Sequence, residues 1–280
     1  MKKLLVSHFR NEEYLLPFWL KHHKKHFDHG VLVDYKSTDN SVNIIKEICP
    51  EWEVVPSKNE LLATKIMDRE IEDIENQYPG WWRTCLTATE FLIGDWAKLN
   101  DVPNQKIMVP AFNMVEHPAQ EGVRPDLNID LFLQKTNGIH YDDPISYSED
   151  LQLSEPRFTR FLVSSNSSGW KTRRSRLIHN SECLWRDGAC GQYPMGRHFE
   201  DRGEKSKDFV IIYYRFCPYN EAMLRRMVTM RENIVESDEK NGLGIEHFFT
   251  EEDTKTWVKE WQANSRDLSK EIHHYLNLSK

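Results

Sequence analysis

The chain predicts an α/β protein. Short apolar runs of strand length alternate with amphipathic segments through the first hundred residues. Those runs are bounded by polar residues, as suits strands buried in a parallel sheet, and the end of the chain has helical periodicity.

Leu4-Leu5-Val6 is the first run, followed by Ser7-His8-Phe9-Arg10-Asn11-Glu12-Glu13. Residues 15–26 are amphipathic, with Leu16, Leu20, His23 and Phe27 at helical spacing, and Val31-Leu32-Val33 ends in Asp34. This strand–helix–strand unit has polar residues at both strand exits, where open parallel sheets bind their ligands. Lys36-Ser37-Thr38-Asp39-Asn40-Ser41 is a turn-forming cluster that also offers helix N-caps. A short helix over 42–48 leads to Pro50, and Glu53-Val54-Val55 reads as a third strand. Residues 61–78 are helical by pattern and stop at Pro79-Gly80. Residues 81–86 run apolar into Thr87-Ala88-Thr89-Glu90-Phe91, and 106–112 is a further strand.

The stretch 116–156 is rich in Pro, Asp and Asn. Hydrophobic runs resume on both sides of it, so it reads as active-site loops with short elements rather than a linker. Residues 158–163, 175–179 and 209–214 read as strands. Helices are predicted over 220–236 and 251–276, the second with Trp257, Trp261, Leu268, Ile272 and Tyr275 on one stripe. No internal repeat or low-complexity tract is visible.

At 280 residues the chain is near the upper size of one domain, and the composition is that of a soluble globular protein. A formal net charge of -7 argues against a general nucleic-acid binder, which neutralises phosphates with Lys and Arg. Met1-Lys2-Lys3 precedes only a short apolar run, so neither a secretory signal nor a membrane span is expected. The five cysteines are scattered and never spaced CxxC, which suits reduced thiols in a cytoplasmic protein. The sequons at Asn166 and Asn277 mean little without a secretory signal.

Phe9-Arg10-Asn11-Glu12-Glu13-x-x-Leu16-x-x-Trp19-Leu20-x-His22-His23, then Phe27-Asp28-His29 and Asp34-x-x-Ser37-Thr38-Asp39-Asn40-Ser41, resembles the start of family-2-like glycosyltransferases of the GT-A fold. It is most similar to the subgroup patterned NExxyLxEWxxyH, then GFDhixiyDnxSxDxS. The resemblance spans residues 6–95 and continues weakly through Lys171, Gly196-Arg197-His198 and Tyr213-Tyr214-Arg215. The compact chain also looks like virus-encoded members from large algal viruses that assemble capsid glycans. The resemblance implies a mostly parallel GT-A sheet with a C-terminal helical extension, in one domain over 1–280. Within it, 1–100 would be the nucleotide-binding half, 101–219 the acceptor and catalytic half, and 220–280 the C-terminal helices. It implies a UDP-sugar donor, carrying xylose or another pentose or hexose, and a glycan or glycoprotein acceptor, with inversion.

Arg10, Asn11, Glu12, Asp34 and Asp39 would contact uridine and ribose, although Asn11 and Glu12 also serve to cap the following helix. In the family an apolar strand ends in Asp-x-Asp-Glu-Phe, whose aspartates hold a divalent metal on the donor diphosphate. Here that place reads Thr87-Ala88-Thr89-Glu90-Phe91. Threonines are poor ligands for a hard cation, which wants carboxylate oxygen. Thr87, Thr89 and Glu90 remain donor-site residues, but no cofactor is expected to be required, beyond weak Mn2+ or Mg2+ dependence through Glu90. Either the enzyme works without metal, or the chain is a catalytically inactive sugar- or nucleotide-binding protein on the same fold.

A leaving diphosphate needs its developing charge stabilised. Lys171, Arg173, Arg174 and Arg176, with His179, Arg197, His198 and Arg215, are the candidate substitutes, because guanidinium binds phosphate bidentately. The alternative for 171–176 is a solvated basic loop, and no aromatic platform interleaves it for nucleic acid. Inverting transfer also needs a general base. Asp201 and Glu200 are the first candidates, Glu149 and Asp150 the second, and Glu116 beside His117 the third.

His22 and His26 fall four apart on a helix, as in zinc sites, but no third ligand accompanies them and the family carries a packing His here. Tyr213 and Tyr214 either line an acceptor pocket or pack beneath the C-terminal helices. Trp81 and Trp82 flank the sheet core, and one of them reaches the sugar or neither does. A nucleotidyltransferase of sugar phosphates would need a Gly-rich loop after the first strand, and residues 7–13 contain no glycine.

Overall fold

The structure, a computed structural model, describes residues 1–61, 63–103, 105–167, 175–180, 205–230, 233–240 and 245–278. In chain order the elements begin β1 (Lys3–Phe9), α1 (Leu16–His23), β2 (His29–Asp34), α2 (Ser41–Ile48), β3 (Glu53–Pro56), α3 (Thr64–Glu75), β4 (Trp82–Cys85) and β5 (Glu90–Gly94). They continue with β6 (Lys106–Val115), α4 (Leu131–Gln134), β7 (Asn137–Ile139), α5 (Pro156–Ser167), β8 (Ser175–His179) and β9 (Phe209–Phe216). The chain ends with α6 (Glu221–Met230), α7 (Glu236–Lys240), α8 (Glu251–Ala263), β10 (Arg266–Asp267) and α9 (Ser269–Leu278). Two compact units result: Met1–Pro110 with Ser175–Ile211 and Tyr275–Lys280, and Ala111–Arg174 with Ile212–His274.

In the first unit, β3, β2, β1 and β4 lie side by side in that order, all parallel. The middle residues of β1 and β2 are buried in unbroken runs, which explains the near-continuous apolar sequence of both strands. Phe9 stands opposite Asp34, Asp34 opposite Pro56, and Val6 opposite Cys85, so the four carboxyl ends emerge along one edge. β8 runs antiparallel to β4 with His179 opposite Arg83, and antiparallel to β6 with Ser175 opposite Pro110. Gly30 has no side chain because the Trp52 ring lies where a Cβ would point. Helix α1 packs against α2 and β5, and α3 against β1.

One edge of β5 is closed by side chains rather than by a strand. Trp19 Nε1 donates to Glu90 O at 2.8 Å, and His22 Nε2 donates to Leu92 O at 2.8 Å. Leu92 N–H donates to His23 Nε2 at 3.3 Å. Residues two apart on a strand present their backbone groups to the same edge. The opposite edge pairs with β9, and Asp95 N–H reaches Asp208 O at 2.9 Å. His23 Nδ1 donates to Trp19 O at 2.9 Å, so its Nε2 must be the lone-pair nitrogen and the imidazole is neutral. Burial, then the neighbouring His22, hold its pKa well below the ordinary 6.5.

The second unit is built on aromatic packing. Trp257 and Trp261 are buried, with Phe216 edge-on to both at 5.0 and 5.2 Å between ring centroids. A capping box starts α8: Thr250 Oγ1 accepts from Asp253 N–H, and the Asp253 carboxylate accepts from Thr250 N–H. The same carboxylate takes the Ser154 N–H and hydroxyl, both at 2.6 Å, which ties the start of α5 to α8.

Several sequence expectations are corrected. Residues 158–163 are not a strand but part of α5. Phe158 and Leu162, four apart, are both buried, and Pro156 opens the helix where its missing N–H is harmless. Of the helix expected over 220–236, α6 supplies Glu221–Met230 and α7 begins only at Glu236, and Asn233 Nδ2 donates to Thr229 O at 3.0 Å, capturing a carbonyl of the last turn. The helix expected over 251–276 breaks between α8 and α9. Asn264 Nδ2 donates to Glu260 O at 2.7 Å and Ser265 Oγ to Gln262 O at 2.8 Å, replacing ladder bonds, and Arg266–Asp267 pairs instead with β7. The stripe is buried throughout, as Trp257, Trp261, Leu268, Ile272 and Tyr275 are all core residues. β5, β7, β10 and α4 were not expected, and β6 extends to Val115.

His23 makes a pH-dependent contribution. Its folded pKa is depressed, so the unfolded chain takes up a proton below about pH 6.5 that the folded chain resists. Its contribution is whole above that pH and is lost as pH falls, at up to about 1.4 kcal/mol per pH unit. Urea unfolding at pH 7 and pH 5.5 should show a larger loss of stability for the wild type than for His23→Gln. Equal losses would remove His23 from the titration.

Candidate functional site

The exits of β1 and β2 are locked to one another. Asn11 N–H donates to Ser37 Oγ at 3.1 Å, and Asn11 Oδ1 accepts from Thr38 N–H at 2.8 Å and Asp39 N–H at 3.4 Å. Glu12 N–H donates to Ser41 Oγ at 2.9 Å, Glu13 N–H to Asp39 Oδ2 at 3.0 Å, and Asn40 N–H to Glu13 Oε2 at 3.0 Å. Asn11 and Lys36 both adopt left-handed backbone, with φ of 53° and 58°. Asn tolerates this conformation; Lys does so at some strain, and strain of this kind concentrates where a loop must hold one shape.

Asn11 and Asp39 are therefore the fasteners of the loop pair. Asp34 is different. Its Oδ1 accepts from Ser37 N–H at 2.9 Å, while Oδ2 has no partner among the described residues and the side chain is half-buried. It offers a carboxylate oxygen at the strand edge. Arg10, which follows Phe9, the register partner of Asp34, is half-buried, and Glu12 is buried.

At the exit of β4, Thr87 Oγ1 and Thr89 Oγ1 share a hydrogen bond at 2.8 Å. Glu90 is fully buried, and Arg176 Nε donates to both its oxygens at 2.9 and 2.8 Å. Thr87 N–H donates to Glu90 Oε2 at 2.8 Å. A carboxylate neutralised in this way has little left to offer a divalent cation, and the threonines bring no charge, so these residues do not fit a metal. Among the described residues no group of three or more His, Cys, Asp or Glu is arranged as a metal site. His22 and His23 are committed to β5 and Trp19, and His26 stacks on Trp96 at 4.9 Å.

The basic candidates divide. Arg176 is paired with Glu90, and His179 Nε2 donates to Glu75 at 3.1 Å, with both partners fully buried. Arg215, in the second unit, stacks its guanidinium on Trp257 at 4.2 Å. Lys171, Arg173, Arg174, Arg197, His198, Glu200 and Asp201 lie outside the described residues. Arg174 immediately precedes Ser175, the first residue of β8, and β8 begins on the side of β4 where Thr87 and Glu90 lie.

Of the other acids, Glu149 and Asp150 are exposed. Glu116 is buried: Lys135 Nζ donates to its Oε1 at 2.6 Å, and Tyr219 N–H to its Oε2 at 2.9 Å. Burial, then Glu116, push the nearby Cys217 thiol well above its ordinary range. Glu116 thus joins the exits of β6 and β9. Tyr213 and Tyr214 are buried, and the Tyr214 hydroxyl donates to Lys135 O at 3.0 Å, which is the packing role. Trp82 is buried with Nε1 on Asn100 O at 3.0 Å. Sequence reading missed Glu70, a buried acid on α3 flanked by buried Met67 and Ile71; an acid within an apolar stripe was the available signal.

A scan against known protein families matches none, and no curated protein matches. Among solved structures, the chain is similar to S. aureus TarS 1-349 at 19% identity and a TM-score of 0.26. TarS 1-349 in complex with UDP-GlcNAc gives 20% identity and a TM-score of 0.26, and the match spans 33% of this chain and only 28% of that one. The first TarS structure has the same coverage. A 4-diphosphocytidyl-2C-methyl-D-erythritol synthase gives 12% identity and a TM-score of 0.26 over 45% of this chain and 69% of that one.

Breaking a buried ion pair from one side leaves an uncompensated charge. Glu90→Gln should therefore cost about 3 kcal/mol in urea unfolding, and adding Arg176→Met should restore most of it. Additive losses in the double variant would show that the two side chains are not coupled.

Proposed function

We propose that the protein is a glycosyltransferase that binds a UDP-sugar at the carboxyl ends of β1, β2 and β4. It transfers the sugar to a hydroxyl of a glycan or glycoprotein acceptor, with inversion and without a required metal ion. The observation that carries this reading is the edge of the first unit: two interlocked loops present the open oxygen of Asp34 at adjacent parallel strand exits. Asp34 accepts from the uracil or ribose, with Arg10, Asn11, Glu12 and Asp39 shaping the loop around it.

The diphosphate lies by Thr87 and Thr89; one of the two hydroxyls donates to the other, and the second donates to the diphosphate. Glu90, already neutralised by Arg176, does not repel it. Lys171, Arg173, Arg174 and Arg197, with His198, supply the positive charge that a metal supplies elsewhere, and the entry of the basic run into β8 supports this. Arg215 holds Trp257 within the second unit. The acceptor hydroxyl attacks the anomeric carbon as its bond to the phosphate oxygen breaks. Its proton passes to Asp201 or Glu200, and UDP leaves with the bonding pair. Among the described residues no helix is long and apolar enough to cross a membrane.

Asp34→Ala should weaken UDP binding about tenfold in calorimetry. Asp34→Asn, which keeps the oxygen that Ser37 N–H bonds, isolates the charge. Unchanged affinity in both removes Asp34 from the site. Hydrolysis of UDP-sugar, followed as UDP release, should proceed at an undiminished rate in EDTA. Loss of turnover on chelation, restored by manganese, would reject metal independence.

A further inference from the structure

We infer that Glu70 is the positioning residue for the nucleoside end of this site, an inference that rests on the nucleotide-sugar reading above. Glu70 lies in the middle of α3 and is buried, yet its partners among the described residues are all neutral donors. Its Oε2 accepts from the Tyr35 hydroxyl at 2.9 Å, Ser57 Oγ at 2.9 Å and Asn59 Nδ2 at 3.2 Å. Its Oε1 accepts from Lys58 N–H at 2.7 Å. Four donors converge on one carboxylate, which offers about four lone-pair sites and no proton of its own.

The donors come from two loops. Tyr35 directly follows Asp34 at the exit of β2, and Ser57, Lys58 and Asn59 form the exit of β3. Ser57 N–H donates to Asp34 O at 2.9 Å, and Asn59 N–H to Ser57 Oγ at 3.0 Å. The third exit loop is thus bonded to Asp34 through the backbone and clamped from below by Glu70. β3 is the strand farthest from β4 in the parallel set, so this clamp acts away from Thr87, Glu90 and the diphosphate. A glutamine in this place would present one oxygen and two N–H donors to four donors, and the loop would lose its fixed shape.

A residue that preorganises the base and ribose end affects every uridine nucleotide alike, whatever its phosphate count. UDP and UMP are titrated into wild type and Glu70→Gln by calorimetry, with thermal melting in parallel. Kd should rise about tenfold for UDP and by the same factor for UMP, and the donor KM of hydrolysis should rise more than kcat falls. The double variant Ser57→Ala with Asn59→Ala keeps Glu70 and removes two of its donors. It should raise both constants about threefold even if Glu70→Gln does not fold. Wild-type affinity for both nucleotides in the folded variants would reduce Glu70 to a structural residue while leaving the nucleotide site in place. Weakening of UDP alone would move its action to the phosphate end and overturn the inference. Failure of the wild type to bind either nucleotide would instead reject the reading on which it rests.

Discussion

A buried strand edge must have its backbone groups paired, and in the first unit that demand falls on three side chains. Trp19, His22 and His23 of α1 bond Glu90 O, Leu92 O and Leu92 N–H, doing for β5 what another strand would do. The consequence is positional. Fastening β5 fixes Glu90, whose side chain faces the exit of β4 and takes Arg176 from β8. The helix whose start bears the β1 exit loop therefore also sets the floor at the β4 exit. Only a neutral His23 meets the hydrogen-bond pattern, since one ring nitrogen gives a proton and the other receives one.

Buried charge is used for placement throughout. Glu90 with Arg176 and Glu116 with Lys135 are ion pairs in which every partner is almost wholly buried. Removing such groups from water largely cancels their attraction, so these pairs specify geometry more than they raise stability. Helix α3 carries the theme furthest, burying Asp68, Glu70, Glu72 and Glu75 in three turns. Glu75 meets His179 through its carboxylate and Arg83 through its backbone carbonyl, while Glu70 gathers the exits of β2 and β3.

The strand exits show how a polar edge is made rigid before any ligand arrives. Most side-chain oxygens there, those of Asn11, Asp39, Ser37 and Ser41, accept backbone N–H groups of a neighbouring loop. Such bonds hold a loop in one shape and reduce the ordering that binding would otherwise require. Against that background Asp34 Oδ2, without a partner among the described residues, stands beside the bonded oxygens of Asn11, Ser37, Asp39 and Ser41.

The sequence by itself determined the parallel strands of the first unit, their polar exits and the buried aromatic stripe at the end of the chain. These features are local: a run of apolar residues buries on both faces, and a repeat near 3.6 makes a helical face. The Thr87 to Glu90 departure was legible for the same reason. Tertiary structure alone decided that 158–163 coils into a helix, that 251–276 breaks at Asn264 and Ser265, and that β5 forms. The break and β5 turn on single polar side chains capturing backbone groups, which leaves no mark in hydrophobic periodicity, whereas the helix over 158–163 buries Phe158 and Leu162 on one face. It alone decided, too, that Glu90 faces a guanidinium 86 residues away and that Glu70 clamps two loops. A carboxylate's partner is set by where the chain brings a donor in space, and no spacing along the sequence encodes that meeting.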